Sequence, residues 1–324
     1  MRRFVALGKV VLAGVISLGI LSLFVLVYDY SGIHISNPSG ATDYKWNPYQ
    51  FKTTMSEGFS WLRLDEDGFN NRSVPGTVDV LIMGSSHMEA INVPRNGNTA
   101  ACLSKLLQEW SIYNIGISGH QIYQCARNMK AAVETYSPDR YVVVETDSVA
   151  LDNAKMEQTI SGELPIIPSY DSGLLYYIQK YCPAIKNLYK QVDNWINIGE
   201  MGAPDIEIVE TDRTVLNRFL EEMKADCGNN RKLVIVYHPT TLINAEGKLI
   251  LPDESDTKRF ASACQKADIR FIDMTRSMAQ LYDEQKILAH GFINTAVGEG
   301  HLNEYGHRLI AQQLADAFME DQNR

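Results

Sequence analysis

Five short apolar runs, at residues 78–83, 112–115, 140–145 (RYVVVE), 232–237 (KLVIVY) and 269–273 (IRFID), are separated by stretches with helical spacing. That alternation constrains the fold more than any other feature. Strands buried on both faces read as continuous β-branched runs, and parallel neighbours need a long crossover, usually a helix. The spacing of Ala100, Leu103, Leu106 and Leu107 predicts a helix over 99–110. Further helices are expected over 120–136, ended by Pro138, over 212–226, stopped at Gly228, and over 255–267. A last one over 303–319 presents Tyr305, Leu309, Ile310, Leu314 and Phe318 on one face. The expected architecture is therefore α/β, a parallel five-stranded sheet covered by helices on both faces, with its functional residues beyond the carboxyl ends of the strands.

The amino-terminus carries a separate signal. From Val10 to Tyr28 the chain has 19 residues without a charge, and a helix of that length spans roughly 28 Å, the thickness of a bilayer core. Arg2, Arg3 and Lys9 precede this run and no Lys or Arg follows before Lys45, so the bias predicts a cytoplasmic amino-terminus and an extracytoplasmic domain. The run ends in Phe24, Val25, Leu26, Val27 and Tyr28, without the small residues of a signal-peptide cleavage site, which favours an uncleaved transmembrane anchor over residues 1–28. Residues 29–77 hold Asn-Pro, Ser-Gly and Asp-Gly turn signals with scattered aromatics and read as a stalk that packs on the domain. The domain itself is expected over 78–324, with an insert at about 150–210 broken by Pro165, Pro168 and Pro183. The insert's apolar cluster, Leu174 to Ile178, suits a core better than an acyl groove.

A net charge of −9 excludes a nucleic-acid backbone as the main partner. The cysteines at 102, 125, 182, 227 and 264 contain no C-x-x-C pair, so a cysteine-built metal or redox site is not expected. Cys227 and Cys264 flank one strand and are the pair a disulfide would join; buried small hydrophobes are the favoured reading. The histidines lack tight ligand spacing, and neither a metal nor another cofactor is expected.

The first strand runs into IMGSSHM, residues 82–88, which sets Ser85 and Ser86 at its carboxyl end. Serines there either cap the following helix or serve as a nucleophile, and a nucleophile requires a base from elsewhere in the chain. His301, directly before the last helix, is the best-placed base. His238 follows the fourth strand in YHPTT, and with His87 and Asn114 it is a candidate cleft contact.

Three blocks, Gly84-Ser85-Ser86, Asn114-x-Gly116-x-Ser118-Gly119 and His301 within GHLNEYGH (residues 300–307), resemble those of the SGNH or GDSL-type hydrolases, over residues 78–320. The resemblance implies a flavodoxin-like three-layer sandwich, Ser86 as nucleophile, His301 as base, and an oxyanion hole from the Ser86 and Gly119 amides. Two departures stand out. The family's oxyanion Asn after the third strand falls near Val149 in ETDSVALD (residues 145–152), leaving Thr146 and Ser148 as substitute donors. The family's Asp three residues before the histidine is Gly298, which leaves the acid open between Glu299, Asp147 and a Ser-His dyad. The implied chemistry is acyl transfer through an acyl-enzyme, to water or to a sugar hydroxyl, on an acylated carbohydrate or envelope polymer, beside a membrane-bound O-acyltransferase. The alternative is a catalytically degenerate accessory or binding protein on the same fold.

Overall fold

The computed structural model describes residues 2–323, apart from 29, 31, 169–210 and 245. The insert's Leu174 to Ile178 cluster, Cys182 and Pro183 lie outside the described residues. In chain order the helices are α1 (Arg2–Tyr28), α2 (Ser86–Glu89), α3 (Thr99–Leu106), α4 (Ile122–Tyr136), α5 (Asn153–Ile160), α6 (Arg213–Cys227), α7 (Glu254–Lys266), α8 (Thr275–Gln285) and α9 (Glu304–Gln322). The strands are β1 (His34–Ser36), β2 (Tyr44–Trp46), β3 (Phe51–Thr54), β4 (Ser60–Arg63), β5 (Val80–Met83), β6 (Ile112–Asn114), β7 (Tyr141–Thr146), β8 (Lys232–Tyr237), β9 (Leu242–Ile243), β10 (Leu249–Ile250) and β11 (Arg270–Asp273).

Strands β6, β5, β7, β8 and β11 lie side by side in that order, every pairing parallel. Numbered by their appearance in the sheet this is 2-1-3-4-5, the flavodoxin-like order. The two-residue alternation of each strand divides the core in two. Leu81, Val142, Val144, Leu233 and Ile235 face α4, α6 and α7 through Met129, Phe219 and Phe260. Val80, Ile82, Val143, Val234 and Val236 face α3, α8 and α9 through Leu103, Met278, Leu314 and Phe318. Side chains buried on both faces are why these runs carry no polar alternation.

Residues 29–77 are more structured than a stalk: they form the antiparallel hairpins β1–β2 and β3–β4. Their strands are three or four residues long, too short for alternation to stand out. Helix α8 was equally hidden, because only Met278 and Tyr282 of its eleven residues are buried. Helix α1 holds one stretch, Phe4–Tyr28, long and apolar enough to cross a membrane. Cys102, Cys125, Cys227 and Cys264 are free and buried, so the Cys227–Cys264 bridge does not form. Burial pushes those two thiols up to about 11 and about 12.

Candidate active site

Strand β5 stops at Met83, and Ser85 takes the N-cap of α2 in an extended conformation. Its Oγ accepts the His87 N–H at 3.1 Å, so the Ser85 hydroxyl is spent on the cap. Its own N–H donates to Glu145 Oε2 at 2.7 Å. A Cβ on the preceding Gly84 would lie 2.6 Å from that same oxygen, so only glycine lets the carboxylate reach the turn. Ser86, the next residue, projects its hydroxyl toward His301.

Ser86 Oγ lies 2.8 Å from His301 Nε2. On the other side of the ring, His301 Nδ1 lies 2.8 Å from Glu57 Oε1, which also accepts the His301 backbone N–H at 2.6 Å. A carboxylate can only accept, so the ring proton sits on Nδ1 and Nε2 is left to receive the serine proton. Burial alone would raise the Glu57 carboxyl; its hydrogen bonds with the His301 ring and backbone N–H outweigh burial and hold it below the usual carboxylate range. Asn303 fixes the histidine from below: its Oδ1 caps α9 at Tyr305 and Gly306, and its Nδ2 donates to the carbonyls of Leu288 and Gly291.

Neither acid considered from the sequence meets the ring. Glu299 is exposed, with its N–H on the Ala296 carbonyl, and Asp147 stands at the exposed end of β7 beside Glu145 and His238. The Nδ1 position they would need is occupied by Glu57. The family's aspartate slot is closed for a backbone reason: Gly298 has φ +77°, and a Cβ there would sit 2.9 Å from the Thr241 carbonyl oxygen. Glu57 comes from the turn between β3 and β4, 244 residues from the histidine, in a Ser-Glu-Gly stretch that carries no motif. No local signal could have found it.

The cleft beside Ser86 has a volume of about 200 Å³ and is lined by Ser86, His87, Gly119, His120, Thr146 and Asp147. Among the described residues the Ser86 and Gly119 amides have no backbone acceptor, which leaves both available to an oxyanion. The substitute donors are not available. Thr146 Oγ1 donates to the Ser148 carbonyl at 2.7 Å, and Ser148 Oγ donates to the Ala150 carbonyl at 3.3 Å, so both hydroxyl protons close the turn after β7. Val149, in the asparagine slot, is buried in the core.

Two of the expected cleft contacts are packed away. Asn114 is buried and joins the Met88 carbonyl to the Gly116 amide. His238 is fully buried, with Nε2 at 2.7 Å from Glu145 Oε1 and Nδ1 at 3.2 Å from His290 Nε2. His87 lines the cleft, and its Nδ1 accepts the Leu302 N–H at 3.1 Å. Burial is the main cause that lowers these imidazoles, His87 to about 2, His290 to about 3 and His238 to about 4, so all three are neutral. Each offers a ring nitrogen within 4.8 Å of the others, a grouping that could hold a metal ion and that sequence spacing conceals because it draws on three separate elements. The hydrogen bonds from His290 through His238 to Glu145 brace the Ser85 turn, and the His87 ring packs against His238 beside them.

Glu89, the last residue of α2, ties the remaining parts together. Its buried carboxylate accepts from Lys52 Nζ at 2.9 Å, Trp46 Nε1 at 2.5 Å, and both the N–H and the hydroxyl of Ser118. Burial would raise this carboxyl, but Lys52 and the other donors hold it low. One buried carboxylate therefore joins α2, the Gly119 loop and both amino-terminal hairpins. Lys52→Met would strand the Glu89 charge, and a loss of about 3–5 kcal/mol is expected in urea unfolding. A loss under about 1 kcal/mol, the surface-pair range, would contradict this role.

No family profile matches the sequence, and no curated protein matches it significantly. Among solved structures the chain is similar to a member of the lipolytic protein G-D-S-L family from Veillonella parvula, at 14% identity over 75% of this chain and 99% of that one, TM-score 0.41. It is also similar to the psychrotrophic esterase EstA from Pseudoalteromonas sp., at 15% identity over 76% and 98% of the two chains, TM-score 0.39. A lipase/acylhydrolase from Enterococcus faecalis matches at 12% identity over 74% and 95%, TM-score 0.40.

Proposed function

We propose that this chain is a serine ester hydrolase or acyltransferase, held in a membrane by α1 with its domain outside the cytoplasm, acting on an acylated carbohydrate or other envelope polymer. The single observation that carries the reading is the continuous Ser86–His301–Glu57 chain, with 2.8 Å at each link. Ser86 Oγ attacks the ester carbonyl while His301 Nε2 takes its proton, and Glu57 stabilises the imidazolium that forms. The Ser86 and Gly119 amides face the developing oxyanion. The leaving alcohol departs with the proton from His301, and acyl-Ser86 remains. Water or a sugar hydroxyl then attacks by the reverse sequence, returning the proton to Ser86. A cleft of about 200 Å³ beside the nucleophile suits a short acyl group such as acetyl.

A partner of the membrane-bound O-acyltransferase type would supply or share the acylated polymer. The absence of the family's oxyanion Asn is the observation that favours the other reading, a non-catalytic accessory protein; one donor is worth about 2.7–4 kcal/mol of transition-state stabilisation. Acetate release from an acetylated polysaccharide by the purified full chain separates the two. Release above the background of a His301→Ala control is the expected result; equal release by both, with no turnover of p-nitrophenyl acetate, would leave only the accessory role.

A further inference from the structure

The β3–β4 hairpin is fixed to the end of α1. Thr53 Oγ1 donates to the Leu26 carbonyl at 2.9 Å, and the Tyr30 and Thr53 backbones exchange hydrogen bonds of 2.9 and 3.1 Å. Leu26 holds one of the last four carbonyls of the helix, which have no partner within it. An unpaired carbonyl is expensive at the edge of a hydrocarbon layer, and the Thr53 hydroxyl satisfies it. Val25, one turn back from Tyr28, is buried against the domain, so the hairpin reaches alongside the final turns of α1 rather than beginning beyond them.

Register decides what surrounds that contact. Thr53 lies opposite Trp61, and Phe51 opposite Arg63, so Phe51, Thr53, Trp61 and Arg63 share one face of the hairpin. Thr53 is buried under the helix end. Trp61 and Phe51 beside it are 59% and 46% exposed, with ring centroids 6.4 Å apart. The opposite face, Lys52, Thr54, Ser60 and Leu62, is buried against the domain. Tyr49 is also exposed, beneath the Arg63 guanidinium at 5.3 Å. Aromatic rings with an arginine at the end of an apolar helix have the composition of a headgroup-level belt, where rings enter the acyl boundary and the cation reaches phosphate.

We infer that the outer face of the β3–β4 hairpin is seated in the lipid interface beside α1, through Trp61, Phe51 and Arg63. This rests on the reading of α1 as a membrane span. The hairpin then has two ends with different tasks: the face holding Trp61 meets lipid, and its turn delivers Glu57 to His301. Glu57 lies four residues along the chain from Thr53, a reach of at most about 14 Å. The reaction centre accordingly works at the membrane surface, on an ester presented there.

The test uses the full chain with Trp195→Phe, reconstituted in phosphatidylcholine and phosphatidylglycerol vesicles whose acyl chains are brominated near the headgroup. Emission is expected to be quenched relative to unbrominated vesicles, and Trp61→Phe should remove most of that quenching, because Trp46 is buried and Trp110 packs on Tyr141 and Phe318 at the other end of the sheet. Unchanged quenching in Trp61→Phe would overturn the inference. A carbonate wash of the same vesicles isolates the premise: extraction of the chain would remove α1 as a span and the inference with it. Neither readout depends on catalysis, so failure here is distinct from failure of the proposed reaction.

Discussion

Ser86→Ala is expected to lower ester turnover by about 10⁶-fold in kcat, the scale seen when a serine nucleophile is removed from an intact relay. In the proposed reaction the hydroxyl 2.8 Å from His301 Nε2 is the atom that becomes acylated, and the Ser85 hydroxyl beside it is turned to the helix cap. Ser85 is the natural control. Its Oγ caps α2, so Ser85→Ala should lose about 1 kcal/mol of stability and retain turnover within about tenfold of the parent chain. Equal damage by both substitutions, measured as kcat on p-nitrophenyl acetate, would contradict the division of labour between the two serines.

Glu57→Gln should lower kcat by about 10⁴-fold while leaving KM nearly unchanged. The neutral amide carries no charge to stabilise the imidazolium that forms, and wherever its NH2 rather than its oxygen faces Nδ1 the ring proton moves to Nε2 and blocks uptake of the Ser86 proton. The size of the loss is diagnostic because Glu57 lies in a hairpin far from the family-like blocks; a merely structural side chain would shift the melting temperature and spare kcat. The same residue has a stability signature. Its folded pKa is lowered, so its contribution is present above the ordinary glutamate pKa and is lost as pH falls through the lower folded value. Glu57→Gln should lack that acid-side loss.

The sheet was legible because buried parallel strands cannot hide: Tyr141–Thr146 and Lys232–Tyr237 are apolar runs with no alternative use. Ser86 and His301 were legible because each adjoins an element whose boundary is written locally, a strand end before a capped helix and a packed final helix. The acid was not. Glu57 is defined only by the contact its hairpin makes with a histidine distant in sequence, and the sequence gives the turn no mark. Gly298 signalled that the usual acid was missing without saying where its replacement lay. Thr146 and Ser148 failed as oxyanion donors for a related reason: a hydroxyl's availability depends on which carbonyls the next turn leaves unpaired, and here the carbonyls of Ser148 and Ala150 take both protons. His238 likewise looked like a cleft residue by position, but a buried carboxylate at Glu145 draws it into the core.

Labelling of the full chain with a fluorophosphonate, followed by mass spectrometry of the modified peptide, tests the Ser86–His301–Glu57 relay most directly. One adduct is expected, on Ser86, formed far more slowly in Glu57→Gln. An adduct on Ser85 or elsewhere, or a rate that Glu57→Gln leaves unchanged, would contradict it.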